Sequence, residues 1–226
     1  MHPVVGSIWS SFFERCPASV SVERIVVGNV AAVESLSPAR FVPTRWKNAR
    51  FSVDMLRVMD SGAAEAQRDS TVVFVSDSSV PLRPCADFAV LEGRTTARIS
   101  MMAFPPCIKG SQWISLTAAE WHRAFTSALI AGQPFHCRHI APDETMVHAV
   151  LWHDASRVDN DTHAVFWDAV PIGGHPQTLT ESQLKSARAR GFLMARKFDP
   201  EAAIYDFSYI HNDGGATSVY PAQDAG

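Results

Sequence analysis

The chain has 226 residues, 46% of them hydrophobic and 19% charged, the make-up of one ordinary globular domain with a full core. Its formal net charge of −3 and the lack of any Lys/Arg run exclude a phosphate-tracking stripe, so no nucleic-acid partner is expected. The apolar runs are strand-sized, well short of the roughly 18–20 residues of a membrane span, and Met1-His2-Pro3 opens without a signal peptide's basic start and apolar stretch.

In chain order, Ile8 to Arg15 reads as a short amphipathic helix ended by Cys16-Pro17. Val20 to Val27 is β-branched and reads as a strand, stopped by Gly28-Asn29. Asn48 to Met59 carries Phe51, Met55, Leu56 and Met59 at helical spacing, with Ser61-Gly62 as its stop. Thr71 to Val75 is short, apolar and followed by polar residues, the pattern of a central strand in a parallel sheet. Ligands bind beyond the carboxyl ends of such strands, which would put Ser76 to Ser79 at a site.

Trp113 to Leu116 reads as another strand. Thr117 then caps a helix, with Glu120 completing a capping box and Trp121, Phe125 and Leu129 as the buried face. Asp143 to Trp152 reads as a helix with both acids, Asp143 and Glu144, in its first turn. Ala164 to Trp167 is a strand. Thr180 is an N-cap, Glu181 to Arg190 a helix and Gly191 its C′ residue. Phe192 to Ala195 then runs as a strand that delivers Arg196-Lys197 at its far end, and the Gly/Asp/Ala-rich tail at 211–226 reads as disordered.

The four cysteines, Cys16, Cys85, Cys107 and Cys137, form no C-x-x-C pair, which excludes zinc-ribbon and thioredoxin-like readings. Buried free thiols are the plain expectation; one or two disulfides remain open, in any of three connectivities if all four pair. His136-Cys137-Arg138-His139 is too cramped for a tetrahedral zinc site without distant partners. Asp159-Asn160-Asp161 has the outline of a metal-binding acidic pair but lies in a polar stretch and reads as a turn. The G-x-S-x-G elbow, the G-x-G-x-x-G fingerprint and the P-loop are all missing.

Two paired-charge motifs carry the chemistry. Asp143-Glu144, after the rigid Pro142, is either capping chemistry at a helix start or a general base able to take a proton from a hydroxyl. Arg196-Lys197 is either a solvated basic pair or a diphosphate clamp, in which Lys supplies a point charge and Arg a planar fork; His175 would add a third donor. Trp46, Trp113 and Trp167 are core aromatics or platforms for the apolar face of a sugar.

Five segments in order, Ser76 to Leu82, Lys109-Gly110-Ser111-Gln112-Trp113, Pro142-Asp143-Glu144, Gly173-Gly174-His175-Pro176 and Ala195-Arg196-Lys197-Phe198, resemble the motifs of the core 2/I-branching β-1,6-N-acetylglucosaminyltransferase family, glycosyltransferase family 14, in its plant-type branch. The resemblance implies a GT-A-like α/β fold, a UDP-sugar donor, inversion and no metal requirement. It implies that Glu144 is the catalytic base and that Lys197 is among the basic residues on the diphosphate. It also implies a Golgi lumen setting, although no anchor segment is present in this chain. Ile8 to Phe13 is similar to the family's L-W-x-x-F-F, which leaves open a truncated N-terminal nucleotide-binding part.

The expectation is therefore a single α/β domain of GT-A type over residues 1–210, with a mostly parallel central sheet flanked by helices. The expected reaction moves N-acetylglucosamine or xylose from UDP to a hydroxyl of an acceptor glycan. Glu144 is catalytic, and Asp77, Trp113, Asp143, Trp167, His175, Arg196 and Lys197 bind substrate. A non-catalytic glycan- or partner-binding relative is the alternative. A glycoside hydrolase using Glu144 with Asp77 or Asp143 is a third reading, which needs the two acids about 5–10 Å apart across a cleft.

Overall fold

A computed structural model describes residues 3–28, 36, 38–44, 52–97, 99–103, 106–138, 140–153, 158–159, 162–166 and 176–199. They divide into two compact units, one within Val22–Ser76 and Val90–Asp161, the other within His2–Ser21, Asp77–Ala89 and Thr162–Gly226. Both mix helices with small sheets, so the chain is α/β as expected. None of the described helices is long and apolar enough to cross a membrane.

The first unit contains a parallel pair, β1 (Ile25–Val27) with β2 (Arg40–Val42), followed by helix α1 (Val53–Ala63). A four-stranded sheet has the order β3-β6-β4-β7, built from β3 (Thr71–Val73), β4 (Thr95–Thr96), β6 (Ser115–Thr117) and β7 (Val158–Asp159). The strand Ile99–Ala103 pairs antiparallel with β5 (Pro106–Gly110). Helices α2 (Ala118–Ala131) and α3 (Met146–Trp152) complete the unit.

The sequence explains the helix starts. Ser52 caps α1 by accepting from the Asp54 N–H, and Thr117 and Glu120 form the expected capping box at α2. The buried face of α2 is Trp121, Ala124, Phe125 and Ala128; Leu129, expected there, is 38% exposed, because the face that packs is set by the 121–124–125–128 stripe. Gly62, expected to stop α1, is inside the helix instead. A Cβ there would approach Val27 Cγ2 to 2.9 Å, so this glycine lets α1 pack closely on β1. Leu56, Met59, Leu116, Trp121, Phe125, Val147 and Leu151 meet in the core of the unit.

Three other expectations change. Thr71–Val73 is half-buried at one edge of its sheet, and it pairs antiparallel with β6, so it is not a central parallel strand. Its β-branched run is half-buried throughout, which a five-residue window does not distinguish from full burial on both faces. Asp143 and Glu144 lie in a separate 3₁₀ turn, Pro142–Glu144, and α3 starts only at Met146. The Val20 to Val27 strand shortens to Ile25–Val27, and Gly28 leaves it at φ 82°.

The second unit contains helix α4 (Pro3–Glu14) and a three-stranded sheet of order β9-β10-β8, formed by β8 (Val80–Pro81), β9 (His163–Val165) and β10 (Met194–Arg196). β9 runs parallel to β10 and β8 antiparallel to it. The indole N–H of Trp9 donates to the Ser79 carbonyl at 2.8 Å, and Phe12 packs edge-on against Phe88. Helix α5 (Glu181–Ala189) has Thr180 as its N-cap, and Gly191 follows it at φ 88°, both as the sequence indicates; Gln183 completes a capping box with Thr180.

All four cysteines are paired, which corrects the expectation of free thiols. Cys16–Cys85 ties the residues just after α4 to the start of a 3₁₀ helix, Cys85–Leu91, and both cysteines lie in the second unit; Cys107–Cys137 ties β5 to the 3₁₀ turn Phe135–Cys137 in the first. The Cα separations of 5.0 and 5.5 Å suit a disulfide. Sequence could not supply this pairing, because the partners lie 69 and 30 residues apart. Peptide mapping without reductant should recover these two bridges and no other pairing. Removing Cys107–Cys137 by paired alanines should cost about 3–4 kcal/mol in urea unfolding.

Candidate functional site

Two of the five segments meet in the first unit. Lys109 and Gly110 end β5, and Ser111 to Trp113 follow directly. This segment lies against Pro142 to His148 through three separate contacts. Lys109 Nζ is 3.1 Å from Glu144 Oε2. The Gln112 amide donates to Asp143 Oδ2. The His148 Nε2–H donates to the Ser111 carbonyl at 2.8 Å, since a carbonyl can only accept.

The glycine in the segment has a steric cause. A Cβ on Gly110 would overlap the His148 imidazole, which fills the space where a side chain would stand. Ser111 Oγ accepts from the Trp113 N–H at 3.2 Å and tightens the turn that follows. Lys109, Gly110, Ser111 and Gln112 thus each have a task against the acidic turn or the helix after it.

The two acids are treated differently. Asp143 is buried and held by Gln112. The Glu144 side chain keeps 19% of its exposure and is held by the half-exposed Lys109. Glu144 is therefore the acid open to solvent, while Asp143 fixes the turn from within. Trp113 is half-buried.

His148 is fully buried and neutral. Burial lowers its pKa to about 4, against which its bond to Ser111 acts in the opposite direction. Its Nδ1 has no hydrogen-bond partner among the described residues.

The remaining described site residues gather in the second unit. Asp77 lies exposed in the turn before β8, and Arg196 closes β10. Ala195 pairs with Val80, and the Phe198 N–H donates to the Ser78 carbonyl at 2.9 Å, so the Asp77–Ser78 turn runs beside the Arg196–Lys197 strand end. Arg196 is half-buried and Lys197 is exposed. The Lys197 carbonyl accepts from Leu179, and its N–H donates to Gln177. On β9, His163 is buried; burial first, and then the charge of Arg196, lower its pKa to about 3.

Trp46, Trp167 and His175 lie outside the described residues, as do His139, Asn160 and Asp161. Cys137 is committed to a disulfide, which removes its thiolate from any metal-ligand set around residues 136–139. Lys109, Gln112 and His148 are the site residues that sequence reading did not single out. The first two lie inside the Lys109–Trp113 motif, and His148 follows Glu144 by four residues, so spacing was the available signal.

No protein-family model matches the chain, and no curated protein matches it at a significant level.

Two outcomes follow from this geometry. His148 stays neutral in the fold but protonates in the unfolded chain, so its contribution to stability is full above about pH 6.5 and falls as the pH drops toward about 4. Between pH 8 and pH 5 this loss should be about 2 kcal/mol, read by urea unfolding at the two pH values, and His148→Gln should remove most of that part of the pH dependence. Gly110→Ala should destabilise the protein by about 1–3 kcal/mol in the same assay, because the imidazole must be displaced.

Proposed function

We propose that this chain is an inverting glycosyltransferase with a GT-A-like fold. It moves a sugar, N-acetylglucosamine or xylose, from a UDP donor to a hydroxyl of an acceptor glycan without a metal requirement. The resemblance of its five ordered segments to glycosyltransferase family 14 is the starting point. The observation that carries the reading is the contact of Lys109 and Gln112 with Glu144 and Asp143, which joins two of those segments around one reachable carboxylate.

In this mechanism Glu144 takes the proton of the acceptor hydroxyl as its oxygen attacks the anomeric carbon. The bond from that carbon to the UDP oxygen breaks with inversion. Arg196 and Lys197, with His175, neutralise the charge that grows on the departing diphosphate. Asp77, Trp113 and Trp167 are assigned to substrate binding, and Asp143 keeps the Glu144 turn in place. Paired cysteines suit an oxidising compartment, in keeping with a secretory-pathway setting.

One observation favours a second reading. Lys109 already neutralises Glu144, as expected of a structural ion pair in a non-catalytic glycan- or partner-binding relative. UDP binding separates the two. Calorimetric titration of UDP in excess EDTA should show binding that Lys197→Ala loses. Glu144→Gln should keep UDP binding while lowering transfer by about 10²–10⁴-fold, measured as sugar release from UDP-N-acetylglucosamine or UDP-xylose onto acceptor glycans. No UDP binding by the unmodified chain would overturn the transferase reading.

A further inference from the structure

A cleft of about 370 Å³ opens in the first unit beside the last turn of α1 and the first turn of α2. Its charged groups have both signs. Asp60, on α1, has a side chain 25% exposed, and its Oδ1 accepts the Trp121 indole N–H at 3.1 Å. His122 Nδ1 is 3.8 Å from the same oxygen. Arg68 lines the same cleft, and no ion pair joins it to Asp60 among the described residues.

The donor that anchors Asp60 is itself fixed by packing. Trp121 is completely buried and packs against Phe74 and Phe125. Ala63, Ala64 and Ala66 supply a methyl-lined wall. The N–H groups of Ala118 and Ala119 are taken by the carbonyls of Ser70 and Arg68, so recognition falls to the side chains and not to the helix end. Burial raises the Asp60 pKa above its ordinary value, with the indole and the imidazole acting the other way. A carboxylate desolvated in this way gains from a cation brought to it.

We propose that this cleft binds a small zwitterion, an α-amino acid with a short aliphatic side chain, its ammonium group on Asp60, its carboxylate on Arg68 and its side chain against the alanine wall. The proposal does not rest on the glycosyltransferase reading.

The Trp121 indole N–H reports on it directly, because it is bonded to Asp60. The full chain, labelled with nitrogen-15, is titrated with L-alanine, with propylamine, which lacks the carboxylate, and with propionate, which lacks the ammonium group. L-alanine should shift the Trp121 indole resonance to saturation and bind at least about tenfold more tightly than either half-ligand, the effect of one added charge-assisted hydrogen bond. Asp60→Asn, which keeps an oxygen for the indole, and Arg68→Met should each weaken L-alanine by about tenfold or more. No shift at the Trp121 indole with L-alanine would overturn the proposal. So would equal affinity for L-alanine and propylamine, or L-alanine binding unchanged in both folded variants.

Discussion

A carboxylate taken out of water must be met by a donor, and in this protein that requirement joins two segments 31 residues apart. Asp143 is buried, and the amide of Gln112 reaches it. Beside this pair, Lys109 lies 3.1 Å from Glu144 and the Ser111 carbonyl accepts from the His148 imidazole. The contacts differ in kind. One satisfies a buried acid, one neutralises a partly exposed acid, and one fills the space left by a missing side chain at Gly110. Only the second leaves a carboxylate within reach of solvent. The arrangement thus turns an ordinary Asp-Glu pair into one structural acid and one accessible acid.

Local chemistry was readable in the sequence at several helix ends, where the determinants lie within one turn of chain. The capping box at Thr117 needs only a hydroxyl and a Glu three residues on, the N-cap at Thr180 only a hydroxyl before the helix, and Gly191 only a left-handed backbone after one. Reading failed where the determinant is a partner from elsewhere in the chain. Gly62 looks like a helix stop until Val27 is seen against it. Thr71–Val73 looks like a central strand until its single sheet neighbour is known. The disulfides are the extreme case, since nothing beside Cys16 names Cys85.

The same division holds for the candidate site. Asp143, Glu144, Arg196 and Lys197 were legible as residue types able to move a proton or hold a phosphate. Their surroundings were not. The motif that contains Lys109 and Gln112 could be quoted without knowing that its side chains face the acidic turn, and His148 was one apolar-face residue of a short helix. The second cluster, in which the Asp77–Ser78 turn runs beside the Arg196–Lys197 strand end, follows from the antiparallel pairing of Val80 with Ala195. That pairing spans more than a hundred residues, beyond the range of any local pattern.

The most direct test of this account is a double-mutant cycle in urea unfolding on Gln112→Ala, Asp143→Ala and the double variant. If the buried pair is the link between the two segments, the single variants should each be destabilised and the coupling energy should be at least about 1 kcal/mol. Additive single effects, with no coupling, would mean that Gln112 and Asp143 do not hold these segments together, and the geometry around Glu144 would need another origin.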